Sequence, residues 1–210
     1  MASGGGIRQP DRQFTCPEEM LPHLKKTLEG EYGVPWEADK PCLVLDVGAN
    51  CGAFTVWARL AWPNSEVDAY EPNPDMYRFL LANTEGLGGI TPHQSAVGDV
   101  DLDKLFLGKH NPGESSQYQN GVEQTDESIE IEVVEPDTLL SYDIVKLDCE
   151  GAETYILPRL DLTQTKFVMF EYHSEQKRRL CDQVMADNGF TLIGITATAI
   201  GYGVAKYQRL

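Results

Sequence analysis

From Cys42 onward the chain alternates short apolar runs with stretches of helical spacing. CLVLDVG (42–48) is a continuous apolar run that closes on Asp and Gly, the pattern of a strand buried on both faces. AFTVWARLAW (53–62) carries its apolar residues at helical spacing. EVDAYEP (66–72) predicts a second strand, stopped by Pro72. DMYRFLLANTEG (75–86) predicts a helix, with Pro74 just inside its start, where proline is tolerated. Further strands are expected at ITPHQSAVG (90–98), YDIVKLDCEG (142–151) and KFVMFEYH (166–173). AETYILPRL (152–160) and SEQKRRLCDQVMADNGF (174–190) read as helices, the second capped by Ser174 and stopped at Gly189. Such alternation implies an α/β fold, a doubly wound parallel sheet with helices on both faces. The tail, 191–210, holds two β-rich runs separated only by Ile200-Gly201-Tyr202-Gly203. No crossover helix fits there, so the two runs form an antiparallel hairpin.

Two regions stand outside this alternation. Residues 1–13 are expected to be disordered, and 14–40 to hold one amphipathic helix near 17–30 that caps the sheet edge. Residues 100–137 read as a strand-loop-strand insertion, with DLDKLFL (101–107) and ESIEIEVVEP (127–136) flanking a polar loop. Loops of that length are commonly lids or disordered, and 109–121 is expected to close over a ligand. The whole of 14–210 is expected to be a single domain.

Length and charge narrow the function. A chain of 210 residues can bury roughly 70% of its unfolded surface, so it needs no metal or disulfide staple. Seventeen basic and 33 acidic residues give a net charge of −16. That argues against nucleic-acid backbones and anionic membranes as partners, because both favour a basic face. No apolar run reaches the 18 or so residues of a membrane span, and Met1–Arg12 has no signal-peptide core. Five cysteines with no CxxC pair read as reduced thiols of a cytoplasmic protein.

The candidate chemistry lies at the strand ends. Asp46-Val47-Gly48-Ala49-Asn50-Cys51-Gly52 forms a glycine-bearing strand-to-helix turn, either a ligand cradle or a tight turn and no more. Asn50 stands where a dinucleotide loop has its second glycine, which disfavours a diphosphate, and Asp46 suits a cationic or amine-bearing ligand. Glu71 ends the second strand about twenty residues on, the place of an acid that accepts from a ribose diol. In KLDCEGAE (146–153), alternation puts Lys146 and Asp148 on one face, and a charged residue inside an apolar strand demands a partner. Glu150 follows at the strand end, and Glu171 and His173 end the next strand, so four carboxyl and imidazole groups could share a pocket. Such a set could also hold a divalent cation, although no metal is expected. His23, His93 and His110 have no comparable setting.

VLDVGANCGAFTVWA, DAYEPNPDMYRFLLAN, SAVGD, the NPGESS loop, IVKLDCEGAE and FEYH, in this order and spacing, resemble the FkbM-type family of S-adenosylmethionine-dependent methyltransferases. The resemblance covers roughly 42–173. It implies the Rossmann-like seven-stranded methyltransferase sheet, whose last two strands are the antiparallel hairpin. It also implies O-methylation of sugars and natural products, with a small-molecule or glycan acceptor. Residue by residue, it places the methionine part of the cofactor on Asp46, Gly48, Asn50 and Gly52, and the ribose on Glu71. It places the adenine near Pro72, Asn73, Ser95, Ala96 and Val97, and Asp148 under the transferring methyl. Ser115 and Ser116 match the loop beside the pocket. The expected reaction is an in-line methyl transfer with His173 as base, oriented by Glu171 or Glu150, and Lys146 ordering the acids. Amine or carboxylate methylation and a non-catalytic cofactor-binding module remain as alternatives. A nicotinamide dehydrogenase would share the loop and Glu71 but would want glycine at Asn50.

Overall fold

The computed structural model describes residues 4–9, 12–108, 115–117, 124–199 and 201–210. In chain order the first elements are β1 (Gly4–Gln9), β2 (Arg12–Pro17), α1 (Leu21–Leu28), β3 (Cys42–Val47), α2 (Ala53–Ala61), β4 (Ser65–Tyr70) and α3 (Pro74–Thr84). Then come β5 (Ile90–His93), β6 (Ala96–Val97), β7 (Lys104–Gly108), β8 (Gln124–Glu130) and β9 (Val133–Val134). The chain closes with β10 (Ile144–Leu147), α4 (Glu153–Ile156), β11 (Phe167–Tyr172), α5 (Glu175–Asp187), β12 (Phe190–Ala199) and β13 (Tyr202–Arg209).

Seven strands form the central sheet in the order β12-β13-β11-β10-β3-β4-β5. The strands β11, β10, β3, β4 and β5 run parallel, and β13 inserts antiparallel between β11 and β12. This is the doubly wound sheet with a C-terminal hairpin that the alternation implies. The chain winds outward from β3 through β4 to β5, then returns to place β10 on the other side of β3. The β3/β10 seam is therefore the point where strand order reverses, the place where open α/β sheets bind ligands.

Burial explains the two layers. Val44, Ile144, Phe167 and Met169 point to one face and pack with Phe54 and Ala58 of α2. Leu45, Val145, Leu147, Val168 and Phe170 point to the other and pack with Ile156 of α4 and Cys181 and Met185 of α5. Phe54 and Phe170 are fully buried, worth about 1.5–3 kcal/mol each relative to exposure. The helix starts follow local chemistry. Asn73 Oδ1 accepts the Asp75 backbone N–H at 3.0 Å with Pro74 in the first turn of α3, and Ser174 Oγ accepts Lys177 N–H at 3.2 Å at α5.

The structure departs from the sequence reading in several places. Gly4–Gln9 and Arg12 lie within the stretch expected to be disordered, yet β1 pairs antiparallel with β2 along six positions. β2 is anchored by buried Phe14 and Cys16 and by Asn83, whose side chain bonds both N–H and C=O of Thr15 at 2.8 and 2.7 Å. That anchored strand offers a ladder on which β1 satisfies its backbone groups. The N-terminal helix does not cap a sheet edge. Its Leu24 and Leu28, with Met20, pack on Ala53 and Val56 of α2 and Met76 of α3. The third strand is broken at Gln94-Ser95, and β6 leaves the sheet to pair with β9. The helix expected over 152–160 keeps only 153–156, because Pro158 has no N–H to continue it. In the insertion, β7 pairs antiparallel with β8. Of the expected lid, 109–114 and 118–121 lie outside the described residues, and Ser115–Gln117 within them.

No described helix is long and apolar enough to cross a membrane, and all five cysteines are unpaired thiols.

Candidate active site

Register alone brings the first charged pair together. Asp46 of β3 and Lys146 of β10 are cross-strand partners, both fully or nearly fully buried. Lys146 Nζ lies 3.0 Å from Asp46 Oδ1 and 3.8 Å from Asp148 Oδ2. It also donates to the carbonyls of Gly48 at 2.7 Å and Val47 at 3.3 Å. The other Asp46 oxygen accepts from Thr55 Oγ1 of α2 at 2.5 Å. Burial pulls the Lys146 ammonium down, but Asp46 and Asp148 outweigh it and leave the group above its ordinary value. A lysine inside an apolar strand is thus satisfied as a fixed internal cation that ties the glycine turn to β10.

The turn itself depends on close main-chain approach. Gly48 has φ 71°, and a Cβ there would overlap the Asp148 carbonyl oxygen. Asn50 sits at φ 54°, a left-handed conformation that Asn tolerates better than most residues. Glu71, at the end of β4, accepts the backbone N–H of Asn50 on one oxygen and of Asn73 on the other, both at 2.8 Å. Burial raises its carboxyl, these two bonds lower it, and the balance is about 7. Each carboxylate oxygen retains a second lone pair for a further donor.

A second cluster occupies the ends of β10 and β11. His173 Nε2 lies 3.1 Å from Glu150 Oε2 and 3.6 Å from Glu171 Oε2. Its Nδ1 is buried with no hydrogen-bond partner among the described residues. Glu150 is held at φ 53°, an uncommon backbone state for a glutamate of the kind that concentrates at functional sites. Burial, together with the Asp148 charge, drives the Glu171 carboxyl well above its usual range. For Asp148 burial acts upward too, but Lys146, Glu171, His173 and Tyr32 bring it below its usual range. Glu171 is therefore the partner that keeps a proton, and Asp148 the fixed anion. One ligand atom each from Glu150, Glu171 and His173 lies within 4.8 Å of the others, a spacing that could also admit a cation.

The insertion links the two clusters. Ser115 Oγ accepts from Asn73 Nδ2 at 3.5 Å and from Gly108 N–H at 3.3 Å. Ser116 Oγ donates to the Glu150 carbonyl at 2.8 Å. One serine thus touches the β4 end and the next touches the β10 end.

The sequence profile described as the methyltransferase FkbM domain matches residues 46–192. The chain belongs to the FkbM methyltransferase family. Methyltransferase 1 of Beauveria bassiana is 26% identical to this FkbM chain over 144 residues, 56% of the chain and 58% of the relative. Hexuronic acid methyltransferase AglP of Haloferax volcanii is 26% identical over 151 residues, 66% of the chain and 59% of AglP. The chain thus spans less than two thirds of either relative. M. jannaschii TYW2 in complex with AdoMet superposes with a TM-score of 0.50 at 14% identity, covering 100% of this chain and 88% of that one. At that identity the likeness concerns the fold, which is the Rossmann-like methyltransferase sheet.

Within this FkbM fold the structure gathers Asp46, Gly48, Asn50, Glu71, Asn73, Lys146 and Asp148 around the β3 turn, and Glu150, Glu171 and His173 beside it. Gly52 lies under Leu80 of α3, where a Cβ would stand 2.7 Å from Leu80 Cδ1, so its local role is helix packing. Pro72 is half-buried between Glu71 and Asn73, while Ser95, Ala96 and Val97 are buried just beyond the end of β5. Two side chains of the network escaped sequence reasoning, Thr55 and Tyr32. Thr55 is nine residues past Asp46 on an apolar helix, and that polar exception is its only local signal. Tyr32 has none.

Proposed function

We propose that this FkbM chain binds S-adenosylmethionine at the ends of β3, β4 and β10 and methylates a hydroxyl of a sugar or small natural product. One observation carries the reading: a row of carboxylates held around a buried lysine at the switch point, with Glu71 at the adjoining strand end. The donor set fits the cofactor. Asp148, partly exposed, suits a cationic methionine moiety, Asp46 acts from beneath by holding Lys146 and the turn, and Glu71 has lone pairs to spare for ribose hydroxyls. Gly48 pressed on the Asp148 carbonyl and a side chain at Asn50 leave little room for a pyrophosphate. Pro72, Asn73 and Ser95–Val97 would face the adenine, and Ser115 and Ser116 the acceptor. When bound, S-adenosylmethionine supplies an electrophilic methyl on a sulfonium. The chain's own work is orientation and proton transfer. With the Glu150 carboxylate 3.1 Å from Nε2, a proton on Nε2 would be favoured there, and the imidazole would then take the hydroxyl proton of the acceptor at Nδ1. The FkbM profile match and the similarity to a hexuronic acid methyltransferase support a sugar-like acceptor. Five unpaired thiols suit a reducing compartment such as the cytoplasm.

Thermal unfolding with S-adenosylmethionine, S-adenosylhomocysteine or NAD tests the cofactor. Ligand at 100 times its dissociation constant adds about 2.7 kcal/mol of stability, expected for the first two and not for NAD. No stabilisation by either adenosyl ligand would overturn the reading. Labelled methyl transfer into glycan and small-molecule pools then identifies the acceptor.

Glu71 makes this binding pH-dependent. Its folded-state value near 7 lies above the ordinary 4.5. Its contribution to stability is therefore complete below pH 4.5 and lost as pH rises through about 7. Ribose donors bond the ionised form best, so affinity for S-adenosylmethionine should rise with pH up to about 7 and then level off. Glu71→Ala should remove both acceptors and weaken binding at least tenfold, since a bond to a charged group is worth about 1.5–3 kcal/mol. Calorimetry across pH 5.5–8.5 is the check, and an unchanged affinity for the variant would sink the ribose role.

A further inference from the structure

A residue from outside the family match enters the acid network. Tyr32 lies between α1 and β3, in neither helix nor strand, and is 3% exposed. Its hydroxyl donates to Asp148 Oδ2 at 3.0 Å, across 116 residues of chain. Its ring stands edge-on to Phe54 of α2, with 5.7 Å between centroids, and lies 5.6 Å from Lys146 Nζ. The segment is tied down on both sides of the sheet seam. Lys206 Nζ of β13 donates to the Gly33 carbonyl at 3.0 Å, and Gly33 N–H bonds the Gly30 carbonyl at 2.8 Å. Gly30 and Gly33 both lie flat against the Trp57 indole, at distances that leave a Cβ only 3.2–3.3 Å from it.

These contacts hold the phenol in one place, and the phenol in turn holds a carboxylate. The Asp148 backbone N–H still bonds the Val47 carbonyl at 3.1 Å, which leaves the carboxylate to be set by its side-chain neighbours. Three groups reach it: Tyr32, Lys146 and Glu171. Lys146 is farther than Tyr32, 3.8 Å against 3.0 Å, and is shared with Asp46. The Tyr32 hydroxyl is a short, neutral, rigidly mounted donor, and it orients the carboxylate without cancelling its charge.

We propose that Tyr32 is a positioning residue that sets the Asp148 carboxylate toward the sulfonium of the cofactor, the one positive charge that S-adenosylhomocysteine lacks. This rests on the reading of Asp148 as part of the S-adenosylmethionine site. A positioned anion acts on charge, so its loss falls on the sulfonium ligand and spares the neutral thioether. A residue that merely fills space would affect both ligands alike.

The test is calorimetric binding of S-adenosylmethionine and S-adenosylhomocysteine to the wild-type chain, Tyr32→Phe and Tyr32→Ala. Phenylalanine keeps the packing on Phe54 and removes only the donor. For Tyr32→Phe the affinity for S-adenosylmethionine should fall about tenfold, the scale of one hydrogen bond to a charged group. The affinity for S-adenosylhomocysteine should stay within about threefold, and the ligand-free unfolding midpoint within about 4 °C. Tyr32→Ala should weaken both ligands and lower the midpoint. An unchanged ratio of the two affinities in Tyr32→Phe would overturn the positioning role while leaving the cofactor reading intact. Failure of the wild-type chain to bind either ligand would overturn that reading, and this role with it.

Discussion

Replacing His173 with alanine is expected to cut methyl-transfer turnover by about 10²–10⁴-fold, the usual contribution of a positioned base. Affinity for S-adenosylmethionine should stay within a few-fold, because His173 follows β11 while the proposed cofactor contacts cluster at the ends of β3, β4 and β10. The expectation rests on geometry. The imidazole stands with Nε2 3.1 Å from the Glu150 carboxylate, and its Nδ1 is buried with no hydrogen-bond partner among the described residues. Glu150→Gln should act in the same direction by weakening that contact. Steady-state rates at saturating acceptor, paired with calorimetry, separate the two effects. Full turnover by His173→Ala would mean that the acceptor needs no deprotonation. A carboxylate acceptor would then replace the hydroxyl.

Lys146→Met should destabilise the fold by about 3–5 kcal/mol, the range for removing one partner of a buried ion pair. Asp46 is fully buried, and Lys146 is the opposite charge that faces it there at 3.0 Å. The same ammonium donates to the Gly48 carbonyl, so the turn should loosen as well. Urea unfolding gives the number. The double variant Asp46→Leu/Lys146→Met removes both charges and should recover much of the loss, because a buried pair replaced by apolar groups is often neutral. If Lys146→Met unfolds like the wild type, the pair carries no structural weight.

Much of the sheet was legible because buried parallel strands are written as continuous apolar runs. β3 and β11 follow that rule, and the spacing of Ile200-Gly201-Tyr202-Gly203 left no choice but a hairpin. Where the reading fails, a non-local contact or a single residue decides. Pro158 cuts α4 to one turn, although the apolar spacing continues past it. β1 has no pattern of its own and pairs because β2 is already anchored by Asn83. The insertion strands pair with each other, off the main sheet, which alternation cannot show. At the site, the cost of a charge in an apolar strand demands a partner for Lys146, but only register names Asp46. The opposite shifts of Asp148 and Glu171 depend on burial that no spacing reveals. Tyr32 lies farther still from any motif, since its partner is 116 residues away.

The absent side chain at Gly48 has a consequence for anyone recombining this domain with a relative. The β3 turn and the end of β10 meet main chain to main chain there, with the Asp148 carbonyl filling the space a Cβ would need. These two segments come from opposite halves of the winding, yet they fit as one machined joint. A chimera that exchanges 42–52 without 144–151 would pair two surfaces never matched to each other, and the joint would gap or clash. Fragment exchange should carry both segments together.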